Sequence, residues 1–256
     1  MIEIQKLSFR YHNASSLVLN EIDAALDHGK MYVLLGLNGS GKTTLIKLLA
    51  GLYRPTSGEI RYDGKPLDAV PIHERSKQIA YVAQHSGKTD DFRVSDYLLF
   101  GTVNQTRFYE QPSPEAERQV KEIAERLGIT HLLDKKLGEI SGGERQIVSV
   151  ASAIAQNTTS ILLDEPTSAL DICNQYKVLS VLKELTEKDG KTVVFSTHNP
   201  NHALYLNANV FLLHKGRIVN TGSAEAIVTP EQLKQVYGEH ICYSEELPYR
   251  EVSFAR

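Results

Sequence analysis

Apolar positions change rhythm along this chain. From Ile2 to Arg10 and from Leu17 to Leu26 they largely alternate, which predicts two half-buried antiparallel strands. Val33-Leu34-Leu35 is a short unbroken apolar run, the pattern of a strand buried on both faces, and Leu45, Ile46, Leu48 and Leu49 follow at helical spacing. Arg54-Pro55-Thr56-Ser57-Gly58 breaks that helix, and Glu59-Ile60-Arg61-Tyr62 before Asp63-Gly64 predicts a strand entering a turn. Ile79-Ala80-Tyr81-Val82-Ala83 predicts another strand, ending at Gln84, with a polar loop to about Asp91.

Between roughly Phe92 and Asn157 strand signals vanish. Ser113-Pro114-Glu115 reads as an N-cap with proline at the first helical position, and Val120, Ile123, Ala124 and Leu127 form one apolar face before Gly128 closes the helix. Shorter helical stretches are expected around Val94 to Phe100 and Thr130 to Leu133. The stretch is either an inserted all-helical subdomain or a run of surface helices over one continuous sheet. Strands then return with helices between them: Ile161-Leu162-Leu163-Asp164, a helix from about Asp171 to Lys188, Thr192 to Phe195, a helix after Pro200, and Val210 to Leu213. That alternation implies a parallel sheet covered by helices. Gly216 and Arg217-Ile218-Val219 suggest a hairpin, a short helix should include Glu231 to Val236, and Glu239 to Arg256 shows no clear period.

The length of 256 residues fits one large domain or a domain with a subdomain. A net charge of −3, with no long basic run, argues against a protein that wraps nucleic acid. Cys173 and Cys242 stand far apart without metal-ligand spacing, so neither a zinc site nor a disulfide framework is expected. The first residues lack the plan of a signal peptide, and no apolar run approaches the roughly 20 residues that cross a bilayer. Any membrane role is therefore expected to be peripheral.

The chemistry concentrates in Gly36-Leu37-Asn38-Gly39-Ser40-Gly41-Lys42-Thr43-Thr44, set between the apolar strand and the helix. Gly36, four residues, then Gly41-Lys42-Thr43 is the spacing of a phosphate-binding loop, in which glycines let backbone N–H groups curl around an anion. The next helix aims the positive end of its dipole, roughly half a charge, at the same anion. Lys42 should reach the β- and γ-phosphates, and the Thr43 hydroxyl should bind Mg²⁺. The strand ending in Asp164-Glu165 supplies a carboxylate for Mg²⁺ or its water, and a second one able to orient and deprotonate an attacking water. Ser141-Gly142-Gly143-Glu144-Arg145-Gln146 opens a helix and forms a second anion cradle.

These motifs together resemble the ATP-binding subunit of an ABC transporter over nearly the whole chain. In that family Gly36 to Thr43 corresponds to Walker A, Ile161 to Glu165 to Walker B, Ile140 to Gln146 to the signature, and Ser168-Ala169-Leu170-Asp171 to the D-loop. The resemblance also assigns Gln84 to the Q-loop, where it would sense metal and water, His198 to the switch histidine at the γ-phosphate, and Tyr11 to the aromatic on adenine. Glu165 becomes the catalytic carboxylate. The implied fold is α/β: a P-loop, RecA-like core with an antiparallel β-subdomain, about 1–91 and 158–222, and an all-helical subdomain, about 92–157. The ATPase domain would span 1–238, with 239–256 as a short tail.

The resemblance further implies ATP and Mg²⁺ as cofactors and a head-to-tail homodimer, with each ATP between the Walker A loop of one copy and Ser141, Gly142, Gly143 and Glu144 of the other. A transmembrane permease would hold the dimer peripherally at the cytoplasmic face of the membrane, with a periplasmic or lipid-anchored substrate-binding protein reached through it. No direct nucleic-acid contact is implied. Ile140, Glu144, Ala83 and Asn199 depart from the family's usual leucine, glutamine, proline and aspartate. Phe92 to Gly101 and Thr229 to Gly238 are similar to the subfamily serving iron-siderophore, haem, cobalamin and molybdate importers. The alternatives are an exporter subunit, or an ABC ATPase acting on DNA or the ribosome. The latter would show long coiled coils, zinc-binding cysteine pairs or tandem ATPase units. A GTPase would show an Asn-Lys-x-Asp string. None of these occurs.

Overall fold

The alternating strands at the start form as expected, with local breaks. A computed structural model of the chain describes residues 1–12, 14–83, 90–105, 113–239, 241–244 and 251–254. Strand β1 (Ile2–Phe9) pairs antiparallel with β2 (Leu19–Leu26). Their alternation slips where Lys6 and Glu21 adopt left-handed backbone, because a bulge moves the following side chains to the other face. Strand β3 (Met31–Leu35) is buried along its whole length and runs through the glycine loop into α1 (Lys42–Leu49). Strands β4 (Ser57–Tyr62) and β5 (Lys65–Pro66) complete a small antiparallel sheet in the order β2-β1-β4-β5.

The chain divides into two compact units, and residues 71–191 form one of them. It opens with α2 (Ile72–Gln78), which buries no side chain, and β6 (Ile79–Val82). Helices α3 (Val94–Gly101), α4 (Pro114–Leu127) and α5 (Gly142–Ala155) follow, with α3 and α4 both packed on α5. Helix α4 is capped as its sequence predicts: Ser113 Oγ accepts from the Ala116 N–H, and Gly128 closes the last turn in the left-handed region at φ 66°. Strand β7 (Ser160–Leu163) pairs parallel with β6, and α6 (Ile172–Glu187) packs against α4. The expected helix at Thr130 is a single 3-10 turn, Thr130–Leu132.

The other unit comprises residues 1–70 and 192–256. Its second part begins with β8 (Thr192–Thr197), α7 (Pro200–Leu206), β9 (Asn209–His214) and β10 (Arg217–Ser223). Strand β3 lies between β9 and β8, parallel to both, and β10 folds back antiparallel on β9. Parallel strands covered by helices are buried on both faces, which is why β3 holds the run Val33-Leu34-Leu35 and β8 the run Val193-Val194-Phe195. Short helices α8 (Ala224–Ile227) and α9 (Pro230–Tyr237) precede a strand pair, β11 (Ile241–Ser244) with β12 (Glu251–Phe254). The sequence from Glu239 to Arg256 shows no clear period that marks these strands.

Candidate functional site

Register decides which residues meet. Leu35 at the end of β3 pairs with Thr197 at the end of β8, so the glycine loop and His198 leave neighbouring strands at one sheet edge. In the unit of residues 71–191, Leu163 pairs with Val82, and the Asp164 N–H donates to the Val82 carbonyl at 3.0 Å. Asp164 and Ala83 thus leave the carboxyl ends of β7 and β6 side by side. Sites in open parallel sheets form at such carboxyl ends. Gln84, expected next, lies outside the described residues.

The phosphate loop is built by glycines that cannot be replaced without movement. A Cβ on Gly36 would stand 2.3 Å from the Leu213 carbonyl oxygen, and Gly41 holds φ 105° with its would-be Cβ 2.6 Å from Leu19 Cδ2. Lys42 is buried, and its ammonium donates to the carbonyls of Gly36 at 2.9 Å and Leu37 at 3.0 Å, inside the loop. Helix α1 has no acidic residue in its first turn, so no carboxylate of its own occupies its N-terminal dipole. Ser40 Oγ is buried without a hydrogen-bond partner among the described residues. Leu37, Asn38 and Gly39 are exposed, Thr43 is half-buried and Thr44 buried. An orphaned hydroxyl, a buried cation and Cβ-free turns fit a phosphate group.

Tyr11 stands edge-on to Phe9, with ring centroids 5.0 Å apart, and to Tyr53 at 5.7 Å. Its hydroxyl lies 3.0 Å from Thr44 Oγ1, which ties the ring to α1. Of its surface 38% stays exposed, leaving ring area for a planar partner.

Beyond β8, His198 is exposed while the residues around it are bound tightly. Thr197 Oγ1 accepts the Asn199 N–H at 3.0 Å and lies 3.0 Å from His202 Nδ1. Asn199 Oδ1 caps α7 by accepting from the Asn201 N–H at 3.0 Å, and its Nδ2 stands 3.3 Å from His202 Nε2. These partners suit a neutral imidazole that donates from Nδ1 and accepts at Nε2. Burial, with a smaller contribution from the charge of His198, pushes the His202 pKa down to about 4. Neither His202 nor Tyr237, whose hydroxyl bonds this loop, was singled out from the sequence.

Asp164 is 1% exposed, and Glu165 is half-buried with its backbone in the left-handed region at φ 48°. That conformation is costly for a residue with a side chain and recurs at functional sites. The turn is held by the Glu165 carbonyl, which accepts from Ser168 N–H at 3.2 Å and Ser168 Oγ at 3.1 Å. Asp171, which ends the expected D-loop, also caps α6 by accepting the Asn174 N–H at 2.9 Å, and that bond holds its carboxyl below the usual range.

Helix α5 starts with a reciprocal cap. Ser141 Oγ accepts the Glu144 N–H at 3.2 Å, and the Glu144 carboxylate accepts the Ser141 N–H at 2.8 Å. The Ser141 N–H also keeps the Glu144 carboxyl below its ordinary pKa, so the acid stays ionised. A glutamine carbonyl could accept that bond equally well, which explains why the departure at position 144 leaves the turn intact. Among the described residues, chain neighbours and its own helix backbone aside, nothing lies within 4 Å of where a Gly142 Cβ would be, whereas a Gly143 Cβ would meet the Ala169 carbonyl at 3.1 Å. Arg145 anchors the turn through Asp90 at 2.8 Å and the Leu137 carbonyl at 2.7 Å.

The sequence profile of the ABC transporter family matches residues 19–168, from β2 through both acids to Ser168. This chain belongs to the ABC transporter family. It is the ATP-binding subunit type, an ABC ATPase, and its fold is that of an ABC ATPase cassette. The molybdate import ATP-binding protein MolC of Haemophilus influenzae is 32% identical over 254 residues, covering 99% of this chain and 94% of MolC. A solved structure of a metal-chelate type ABC transporter in an inward-facing conformation superposes with a TM-score of 0.81 at 30% identity, covering 99% of this chain and 96% of that one. A dimeric ATP-binding cassette in a post-hydrolysis state, bound to ADP and Pi, gives a TM-score of 0.78 at 26% identity, covering 88% and 99%.

An ABC ATPase works on ATP, and hard oxygen donors such as the Thr43 hydroxyl and the Asp164 carboxylate suit Mg²⁺. Among the described residues no group of three His, Cys, Asp or Glu side chains forms a metal cage.

Proposed function

We propose that this ABC ATPase powers an importer for a metal chelate or oxyanion, through ATP-driven closure of a head-to-tail dimer. The observation that carries the reading is the presence of two glycine-lined helix N-termini, at α1 and α5, in one chain that needs only one to hold a phosphate chain. The second cradle is open at Gly142 and suits the nucleotide of another copy. Gly36, Leu37, Asn38, Gly39, Ser40, Gly41, Lys42, Thr43 and Thr44 would hold the phosphates, and Tyr11 the adenine. Ser141, Gly142, Gly143 and Glu144 of the partner copy would close over the γ-phosphate. Thr43, Asp164 and Gln84 would serve Mg²⁺. Glu165 would activate water, and His198 would stabilise charge at the γ-phosphate.

The metal-chelate and molybdate relatives support the substrate class, which the ATPase itself does not bind. Among the described residues no helix is long and apolar enough to cross a membrane. Attachment would come through a permease at the cytoplasmic face, with a substrate-binding protein beyond it. Phe92 and Phe100, ring centroids 5.4 Å apart, and Val103 are more than 40% exposed and offer the apolar face for the permease.

Two variants test the reading in steady-state ATPase assays. Glu165→Gln is expected to bind ATP like the parent and lose at least a hundredfold in turnover, and parental turnover would refute the role of that carboxylate. Gly142→Asp meets open space, so it should fold normally and bind ATP, yet lose hydrolysis by repelling the γ-phosphate of the other copy. Full activity in that variant would argue against a shared site.

A further inference from the structure

We infer that Tyr237 is a positioning residue for ATP hydrolysis: its hydroxyl, carried by the C-terminal helix α9, fixes the backbone from which His198 projects. The inference rests on the role proposed for His198.

The loop between β8 and α7 is pinned on three sides. Parallel pairing with β3 fixes Thr197, and Asn199 is held by Thr197 Oγ1 and by its own cap on α7. Between them the His198 carbonyl accepts a hydrogen bond from the Tyr237 hydroxyl at 3.0 Å, from a residue 39 positions away. That bond sets the plane of the His198-Asn199 peptide and, with it, the direction of the exposed imidazole. A fixed backbone limits where the exposed imidazole can reach.

The donor is well suited to the task. Tyr237 is the last residue of α9, behind the buried Leu233 and Val236 that seat the helix. Burial raises its pKa above that of an ordinary phenol, so the hydroxyl keeps its proton at any physiological pH. The tail strands touch the helices on either side of that bond: β11 lies against α9 and β12 against α7. The segment Thr229 to Gly238, which in the sequence only suggested a subfamily, thereby acquires a physical link to the site. Mispositioning by about 1 Å can cost on the order of a hundredfold in rate, and losing one of several restraints should cost less.

The experiment is a double-mutant cycle on turnover in the full-length ATPase, with Tyr237→Phe, His198→Ala and the pair. Phenylalanine keeps the ring and removes only the donor. Tyr237→Phe is expected to lower kcat about tenfold, leave KM for ATP within about twofold and leave nucleotide binding intact. On the His198→Ala background the same change should alter the residual kcat by less than about twofold, because its effect runs through the imidazole. Unchanged kcat in Tyr237→Phe, or the same cost on both backgrounds, overturns the inference alone. Parental turnover in His198→Ala overturns the role of the histidine and the inference with it.

Discussion

The left-handed backbone of Glu165 places a glutamate where glycine would rest more easily. Replacing it should therefore separate stability from activity. Glu165→Gly is expected to raise unfolding stability by about 0.5–1 kcal/mol while abolishing turnover. Thermal melts beside ATPase assays check this; a variant both less stable and inactive would show that the side chain's contacts outweigh the strain. Glu165 was legible as a candidate because two acids after an apolar strand form a local pattern. Its strain was not, since φ depends on the turn closed by Ser168. The same division holds at the phosphate loop. Spacing revealed Gly36 and Lys42, but only the fold showed the Leu213 carbonyl that leaves no room for a Cβ at position 36. His202 and Tyr237 escaped notice because their partners are set by tertiary folding rather than by a motif.

At the level of elements, α7 contains a built-in sensitivity to acid. His202 titrates near 6.5 in an unfolded chain and near 4 when folded, so across that window the unfolded state binds more protons. Stability from this group is complete above about pH 6.5 and falls as the pH drops toward 4, by up to about 3 kcal/mol. Urea midpoints measured between pH 7 and 4 should show the fall. Asn199→Asp should flatten it, because a carboxylate beside Nε2 favours the imidazolium. An unchanged slope in that variant would mean that His202 is not the group responsible. Elements with strong local signals were read correctly: α4 had Ser113, Pro114 and Gly128 to mark its ends, and β3 its unbroken apolar run. Helix α2 left no apolar stripe because none of its residues is fully buried. Helix α8 has only 4 residues, too few to show a period, and β11 and β12 are ordered by pairing with each other.

For the whole molecule, the order of motifs was the most informative feature of the sequence, because one strong phosphate-loop signal and six weaker ones in one succession exclude what each alone allows. Length and charge only set bounds. How the site is shared follows from the family resemblance that the motifs carry together, not from any one of them. The central claim is that ATP is held between two copies, each giving one cradle. It is tested most directly by the mass in solution of Glu165→Gln, measured by light scattering with and without Mg-ATP. Without nucleotide the 28.5 kDa chain should run as a monomer; with Mg-ATP its mass should double, and Gly142→Asp added to the same chain should prevent the doubling. A chain that binds Mg-ATP yet keeps the mass of a single copy would contradict the account.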